Sequence, residues 1–147
     1  MNVFRASLEQ VEELAGLFNQ YRVFYKKASN LAACRQFLQD RLSRNESVIF
    51  AARGSDGNLV GFTQLYHSFC SVELAPLVYL YDLFVDPTAR RTGVARALMD
   101  AARVHAKEAG ADRLQLETAT DNWNAQTLYE DLGYVRESDF YIYLLEL

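Results

Sequence analysis

"LVYLYDLFVDPTARRTGVARALMDAARVHAKEAG", residues 77–110, contains the junction on which the reading of the fold depends. Its first nine residues, Leu77 to Val85, are apolar or aromatic except for Asp82. A strand with apolar side chains on both faces is covered on both sides, so this run is expected at the centre of a sheet. Asp86-Pro87 then breaks the strand. From Gly93 to Glu108 the apolar residues recur at helical spacing, with Val94, Leu98, Ala101, Ala102, His105 and Ala109 on one face. Arg96, Asp100, Arg103 and Lys107 form the opposite face, and Gly110 supplies a stop. A strand that delivers a short loop to a helix N-terminus creates an anion site. The first turn has N–H groups without intrahelical partners, and the helix dipole adds partial positive charge. Gly93 opens the backbone to close approach, Ala95 is nearly as small, and Arg96 adds charge. The spacing predicts a phosphate or pyrophosphate over residues 91–96. Taken alone, those six residues also read as a surface turn with incidental arginines. No GxxxxGK[ST] loop is present, and no GxGxxG follows a strand.

Around this junction the chain reads as one α/β domain, residues 1–147. Asn2 to Ala6 has the pattern of a short strand. Ser7-Leu8-Glu9-Gln10 has capping-box spacing and opens a helix that buries Val11, Leu14, Phe18, Tyr21 and Tyr25. A second helix is expected over Leu31–Arg44, with Cys34, Phe37, Leu38 and Leu42 inward. Val48–Ala52 and Leu59–Tyr66, joined by Ser55-Asp56-Gly57-Asn58, read as a β-hairpin, followed by a loop over 67–76. Beyond the long helix come a strand, "RLQLETA", and a helix over Trp123–Leu132 stopped by Gly133. Two closing strands, Tyr134–Arg136 and Phe140–Leu145, complete the pattern. The expected architecture is a mixed, mostly antiparallel sheet of six to seven strands flanked by about four helices.

The totals narrow the function classes. Half of the 147 residues are hydrophobic, with nine Tyr and nine Phe, which is enough for a substantial core. Cys34 and Cys70 provide neither a disulfide framework nor a paired metal spacing. No metal site is expected, and a reduced, cytoplasmic setting fits. No secretory signature opens the sequence, and no apolar run nears the roughly 18 residues of a membrane helix. The net charge of −4 argues against a nucleic-acid partner and is compatible with a cationic small substrate.

Arg90-Arg91-Thr92-Gly93-Val94-Ala95 resembles the Arg/Gln-x-x-Gly-x-Gly/Ala motif of the GNAT N-acetyltransferase superfamily. The resemblance implies that this loop, with Arg96, takes the pyrophosphate of acetyl-CoA, chiefly through backbone N–H groups. "YLYDLFVDP" is similar to the family's central strand, which splays from its neighbour. There the backbone of Leu83, Phe84 and Val85 is expected to pair with the pantetheine arm. A second motif, "NWNAQTLYEDLGY", resembles the family's Asn-x-x-Ala-x-x-Leu-Tyr-x-x-Leu-Gly-Phe/Tyr. Asn122, Ala125, Leu128, Tyr129, Leu132, Gly133 and Tyr134 are in register with it. The order of elements matches over most of the chain. "LFNQYRVFYK", "YDLFVDP" and "TDNWNAQTLYEDLGY" look most like the small histone/polyamine branch, and "YLYDLFV" is similar to the diamine acetyltransferases.

Transfer of an acetyl group from a thioester to an amine needs a deprotonated amine, a held carbonyl oxygen and a proton for the leaving thiolate. Direct attack in a ternary complex needs no enzyme nucleophile. The resemblance makes Tyr129 the proton donor, since a phenol of pKa ~10 stays protonated at neutral pH. Two carboxylates compete for the other role. Glu117, twelve residues before Tyr129 in "RLQLETA", has the spacing of the base in the ribosomal-protein N-terminal acetyltransferase branch. It equally suits a solvated carboxylate on a strand face. Asp82 sits where an unpaired charge is costly, so it requires a cation, a donor or a water-filled cleft beside it. It either grips a cationic substrate or braces the site. Diamine acetyltransferases have Glu-Asp where this chain has Tyr81-Asp82, which puts a polyamine substrate in doubt. Asn122 is expected to cap its helix while its amide contacts the pantetheine arm. His105 reads as a packing residue, and His67 and Cys70 carry no mark of activation. The expectation is an acetyl-CoA-dependent N-acetyltransferase acting on a small-molecule or peptide amine, as a homodimer with the aromatic first helix as one candidate surface. A non-catalytic acyl-CoA-binding module and a different phosphate-ligand binder are the alternatives.

Overall fold

The computed structural model describes residues 1–147. The chain divides into two compact units, Met1–Leu116 and Glu117–Leu147.

The first unit is built on five strands in sequence order across one sheet: β1 (Asn2–Arg5), β2 (Val48–Arg53), β3 (Leu59–Cys70), β4 (Ala75–Val85) and β5 (Arg113–Gln115). The first four pair antiparallel and β5 joins β4 in parallel, so the sheet is mixed as expected. Helices α1 (Val11–Phe24), α2 (Leu31–Ser43) and α3 (Val94–Glu108) complete the unit. Alternation along the strands divides the core between the two sheet faces. Ile49, Ala51, Phe62 and Phe84 pack with Leu14, Leu17, Phe18 and Leu38 from α1 and α2. Ala52 and Val85 pack with Val94 and Leu98 of α3. That second contact is close at Gly61. A Cβ there would lie 3.0 Å from the Phe84 carbonyl oxygen and 3.0 Å from a Val94 methyl. Glycine at 61 is therefore what lets the first turn of α3 settle onto β3.

Local signals at the helix ends are realised as read. The Ser7–Gln10 capping box forms, closing a short 3-10 turn that leads into α1. The stop after α3 is a Schellman arrangement, in which the Gly110 N–H reaches the Lys107 carbonyl and the Ala111 N–H reaches that of Ala106. Tyr25 corrects the expectation. It is 52% exposed, because α1 ends at Phe24 and the chain turns away before the next inward position.

The segment 67–76, expected as a loop, is mostly sheet. β3 and β4 remain paired from His67↔Val78 to Cys70↔Ala75, leaving only residues 71–74 as the hairpin tip.

The second unit holds α4 (Trp123–Asp131) and the chain's last segment. Gly133 ends α4 with a second Schellman bond, from the Tyr134 N–H to the Tyr129 carbonyl at 3.0 Å. The closing strands expected at Tyr134–Arg136 and Phe140–Leu145 are not strands, and the "RLQLETA" strand stops at Gln115. The sheet therefore has five strands, not six to seven. A strand requires neighbours for its N–H and C=O groups, and the sheet's ladders are those joining β1 to β5 in order.

Candidate active site

The stretch from Asp86 to Arg96 is shaped by its own polar atoms. The Asp86 carboxylate accepts from the Thr88 N–H at 2.8 Å and from the Thr88 hydroxyl at 2.6 Å, and these bonds hold its pKa below the usual carboxylate range. Thr92 donates its hydroxyl to the Ala89 carbonyl at 2.6 Å. Two residues are left-handed, Arg91 at φ 63° and Gly93 at φ 86°. Gly93 is the N-cap of α3, and no side chain caps the helix there. Space around Gly93 is open, since a Cβ at that position would meet nothing within 4 Å. The glycine is required by its backbone angle, not by crowding within the protein.

The arginines separate in role. Arg90 is committed to the fold: its Nε donates to the Val85 carbonyl at 3.1 Å, and its guanidinium lies over the rings of Phe24 and Phe84 at 5.5 and 5.9 Å. It thereby ties the turn to the end of β4 and to the C-terminus of α1. Arg91 and Arg96 are exposed around the helix N-terminus, where an anion gains most from positive charge.

β4 is irregular in two places, both near this turn. Its register with β3 shifts between Gln64 and Leu65, so that Gln64 faces Asp82 while Leu65 faces Leu80. Tyr81 is the extra residue of a bulge and is 68% exposed. On the other side, pairing with β5 ends at Tyr79↔Gln115. Leu80 to Val85 continue beyond the last β5 partner. Leu83, Phe84 and Val85 lie on this stretch.

Asp82 is buried, with a donor on each side. Gln64 Nε2 donates to its carboxylate at 3.0 Å, and the Tyr21 hydroxyl donates as well. Burial pushes its pKa above the usual range, and the two hydrogen bonds work against that push. The Thr63 hydroxyl donates to the Asp82 carbonyl at 2.8 Å. Gln64 is fully buried and spends its amide N–H on Asp82, leaving its Oε1 without a hydrogen-bond partner. Tyr66 lies close by, its pKa raised by burial first and then by the Asp82 charge, and its ring meets that of Tyr81 at 5.2 Å. Sequence reasoning found Asp82 but missed Gln64, Tyr21 and Tyr66. The available signal was a lone amide in "GFTQLY", one hairpin strand away from a lone carboxylate in "YLYDLFV".

His67 and His105 were read separately, and the fold brings them together. Their Nε2 atoms are 2.8 Å apart, linking β3 to α3. Burial, then His67, then Arg5 lower the His105 pKa. Cys70, at the end of β3, accepts from the guanidinium of Arg113 in β5 at 2.8 Å.

In the second unit, Asn122 caps α4 as expected, its Oδ1 accepting from the Ala125 N–H at 3.3 Å. Tyr129 lies near the C-terminal end of the helix, half-buried, with its ring 6.1 Å from that of Tyr134. Glu117 is exposed, two residues after β5 ends.

The sheet and the glycine-capped helix beside it are shared with a family that the comparisons with known proteins identify. The model of the acetyltransferase (GNAT) family matches residues 8–134. The chain is 42% identical over 147 residues to the uncharacterized N-acetyltransferase YhfO of Bacillus subtilis, covering 100% of this chain and 98% of that protein. It is 31% identical over 124 residues to a probable acetyltransferase of Haemophilus influenzae, covering 84% and 85% of the two. A crystal structure of a probable acetyltransferase superposes with a TM-score of 0.93 at 40% identity, covering 100% of this chain and 98% of that one. The chain belongs to the GNAT family and is an N-acetyltransferase.

Proposed function

We propose that residues 1–147 work as one acetyltransferase domain, using acetyl-CoA to acetylate a primary amine in a ternary complex. The observation that carries this reading is the N-terminus of α3, with its left-handed glycine, open space and no side-chain cap. An oriented set of backbone N–H groups at a helix start suits a pyrophosphate. Residues 91–96 would hold that group, with the Arg91 and Arg96 side chains adding charge. The backbone of Leu83, Phe84 and Val85, beyond the end of β5 pairing, would take the pantetheine arm, with Asn122 and Ala125 contributing from α4. Acetyl-CoA supplies an activated acetyl thioester.

In this reading the amine nitrogen forms the new C–N bond as the C–S bond breaks. Glu117 receives the amine proton through water, and Tyr129 gives its phenolic proton to the departing sulfur. Asp82 is a positioning residue: Gln64 and Tyr21 occupy its carboxylate, so it braces the bulge and the aromatic surface of Tyr66 and Tyr81. Its negative field favours a cationic amine arriving on that surface. Tyr81 stands where diamine acetyltransferases carry a glutamate, which favours a monoamine or lysine-like acceptor over a polyamine. A reduced cytoplasmic setting and a homodimer complete the proposal.

The test is thiol release from acetyl-CoA across monoamines, polyamines, amino acids, aminoglycosides and lysine peptides. Turnover with a monoamine or lysine peptide is expected to exceed that with any polyamine at least tenfold in kcat/KM. A polyamine preference would overturn the acceptor assignment. A CoA-binding chain inert toward every amine would overturn the catalytic one.

A further inference from the structure

His67 and His105 are 38 residues apart in the chain, and their Nε2 atoms meet at 2.8 Å. The rings stand nearly perpendicular, at 85°, with centroids 5.0 Å apart. His67 belongs to β3 and His105 to the last turn of α3, so two regular elements hold the pair. The acetyl transfer proposed above uses neither ring.

A neutral imidazole has one N–H and one lone pair. The contact is therefore a single N–H···N bond, in which one Nε2 donates and the other accepts. Moving that proton to the donor ring's own Nδ1 leaves two Nε2 lone pairs side by side. His67 is exposed, so water can carry the proton. Paired imidazole lone pairs are a donor set for late transition ions. With metal–nitrogen bonds of about 2.05 Å, two imidazoles set about 100° apart on one ion have ring centroids about 5 Å from each other. The rings already stand at that spacing. Each ring has to tilt so that its nitrogen turns from its neighbour toward the ion. The nitrogens then open to about 3.1 Å, which the same bond lengths and angle require.

The local field does not favour a cation by itself. Of the two side chains of fixed charge acting on the His105 ring, Arg5 of β1 opposes a positive ion more strongly than Glu108 of α3 favours it. Ions held by charge and oxygen ligands, such as Mg²⁺, are disfavoured here, whereas nitrogen-seeking ions draw on the lone pairs. No third His, Cys, Asp or Glu completes the group, so water fills the remaining positions.

We propose that His67 and His105 bind one divalent transition ion, Zn²⁺, Ni²⁺ or Cu²⁺, through their Nε2 atoms, and that the ion pins α3 to β3. The proposal rests on the geometry of the first unit and is independent of the acetyl-transfer reading.

Thermal unfolding of the chelator-treated full chain is expected to shift upward by about 5 °C in millimolar Zn²⁺ or Ni²⁺, with no shift in Mg²⁺. Titration calorimetry is expected to give one ion per chain. His67→Ala removes an exposed ligand and is expected to weaken binding at least tenfold and to abolish the shift. In the unaltered chain, the electron paramagnetic resonance spectrum of one equivalent of Cu²⁺ is expected to show coupling to two imidazole nitrogens, which decides the matter if the variant misfolds. A metal-induced shift that survives His67→Ala, or one lost in Cys70→Ser instead, overturns the proposal. So does a spectrum with fewer than two coupled nitrogens, or a chain that neither shifts nor takes up the ion.

Discussion

The N-termini of α3 and α4 begin alike and are finished differently. Asn122 closes α4 with a side-chain bond to the Ala125 N–H. Asn30 does the same for α2, at 3.0 Å to the Ala33 N–H, and Ser7 closes the turn before α1. The start of α3 has Gly93 in a left-handed conformation with no side-chain bond. Capping contributes about 1 kcal/mol at an ordinary helix start. α2 and α4 take this stabilisation at their own starts and α1 only through the turn that precedes it, whereas at α3 the first-turn N–H groups are the ones the proposed function assigns to a ligand. In the proposed function the difference separates a helix end that serves stability from one that serves binding.

The largest effect is expected within α4, from its side chain and not its cap. Tyr129→Phe should lower kcat by about 10²-fold or more, the usual worth of a positioned proton donor, with little change in KM for acetyl-CoA. Steady-state kinetics over pH 6–9 check this, and full activity across that range would remove the acid role. Next comes Gly93→Ala at the other helix. The left-handed angle costs an alanine about 1 kcal/mol, and the methyl occupies the open space where a ligand would approach. KM for acetyl-CoA should rise at least tenfold, with only a modest loss of Tm. A large Tm loss with unchanged KM would make Gly93 a structural glycine like Gly61.

Asn122→Ala should give the reverse balance. Losing the cap costs about 0.5–2 kcal/mol, read by denaturant melts, and KM should shift less than in Gly93→Ala. If both variants changed KM equally, the contrast between the two helix starts would fail. Smaller again is Asp82→Asn. Burial raises the Asp82 pKa, so its charge opposes folding at neutral pH. Asparagine keeps the bond from Gln64, and the Tm at pH 7 should equal or exceed that of the parent. The smallest effect belongs to the histidine pair. The His105 pKa is lowered in the fold, so the unfolded chain binds more protons below about pH 6.5 and stability falls on acidification. Arg5 and Glu108 face the same ring, the first lowering and the second raising its pKa. His105→Leu should flatten the decline of Tm between pH 7 and pH 5.

Elements governed by their own residues were legible. The Ser7–Gln10 box, the amphipathic α3 and the glycine stops at 110 and 133 depend on contacts within a few positions. Asp82 was legible as a problem, a charge in an apolar strand, but its solution was not. Gln64 and Tyr21 lie on other elements, and only the antiparallel register of β3 and β4 sets Gln64 opposite it. The bulge at Tyr81 was hidden for the same reason, since one extra residue in a uniformly apolar strand leaves no mark on the pattern. At the C-terminus the pattern itself misled. "FYIYLLEL" has the composition and alternation of a strand and is not one, because pairing is no property of a segment alone.

Taken alone, the sequence determined where helices are capped and stopped, that Leu77–Val85 is an interior strand though not the middle one of the five, and which family's motifs the chain carries, because these follow from periodicity, capping and short-range spacing. Tertiary structure decided that Arg90 anchors the turn, that two amide and phenol donors hold Asp82, that His67 meets His105, and that the sheet stops at five strands. Each of those depends on tertiary contacts, which chain folding and not local pattern brings about.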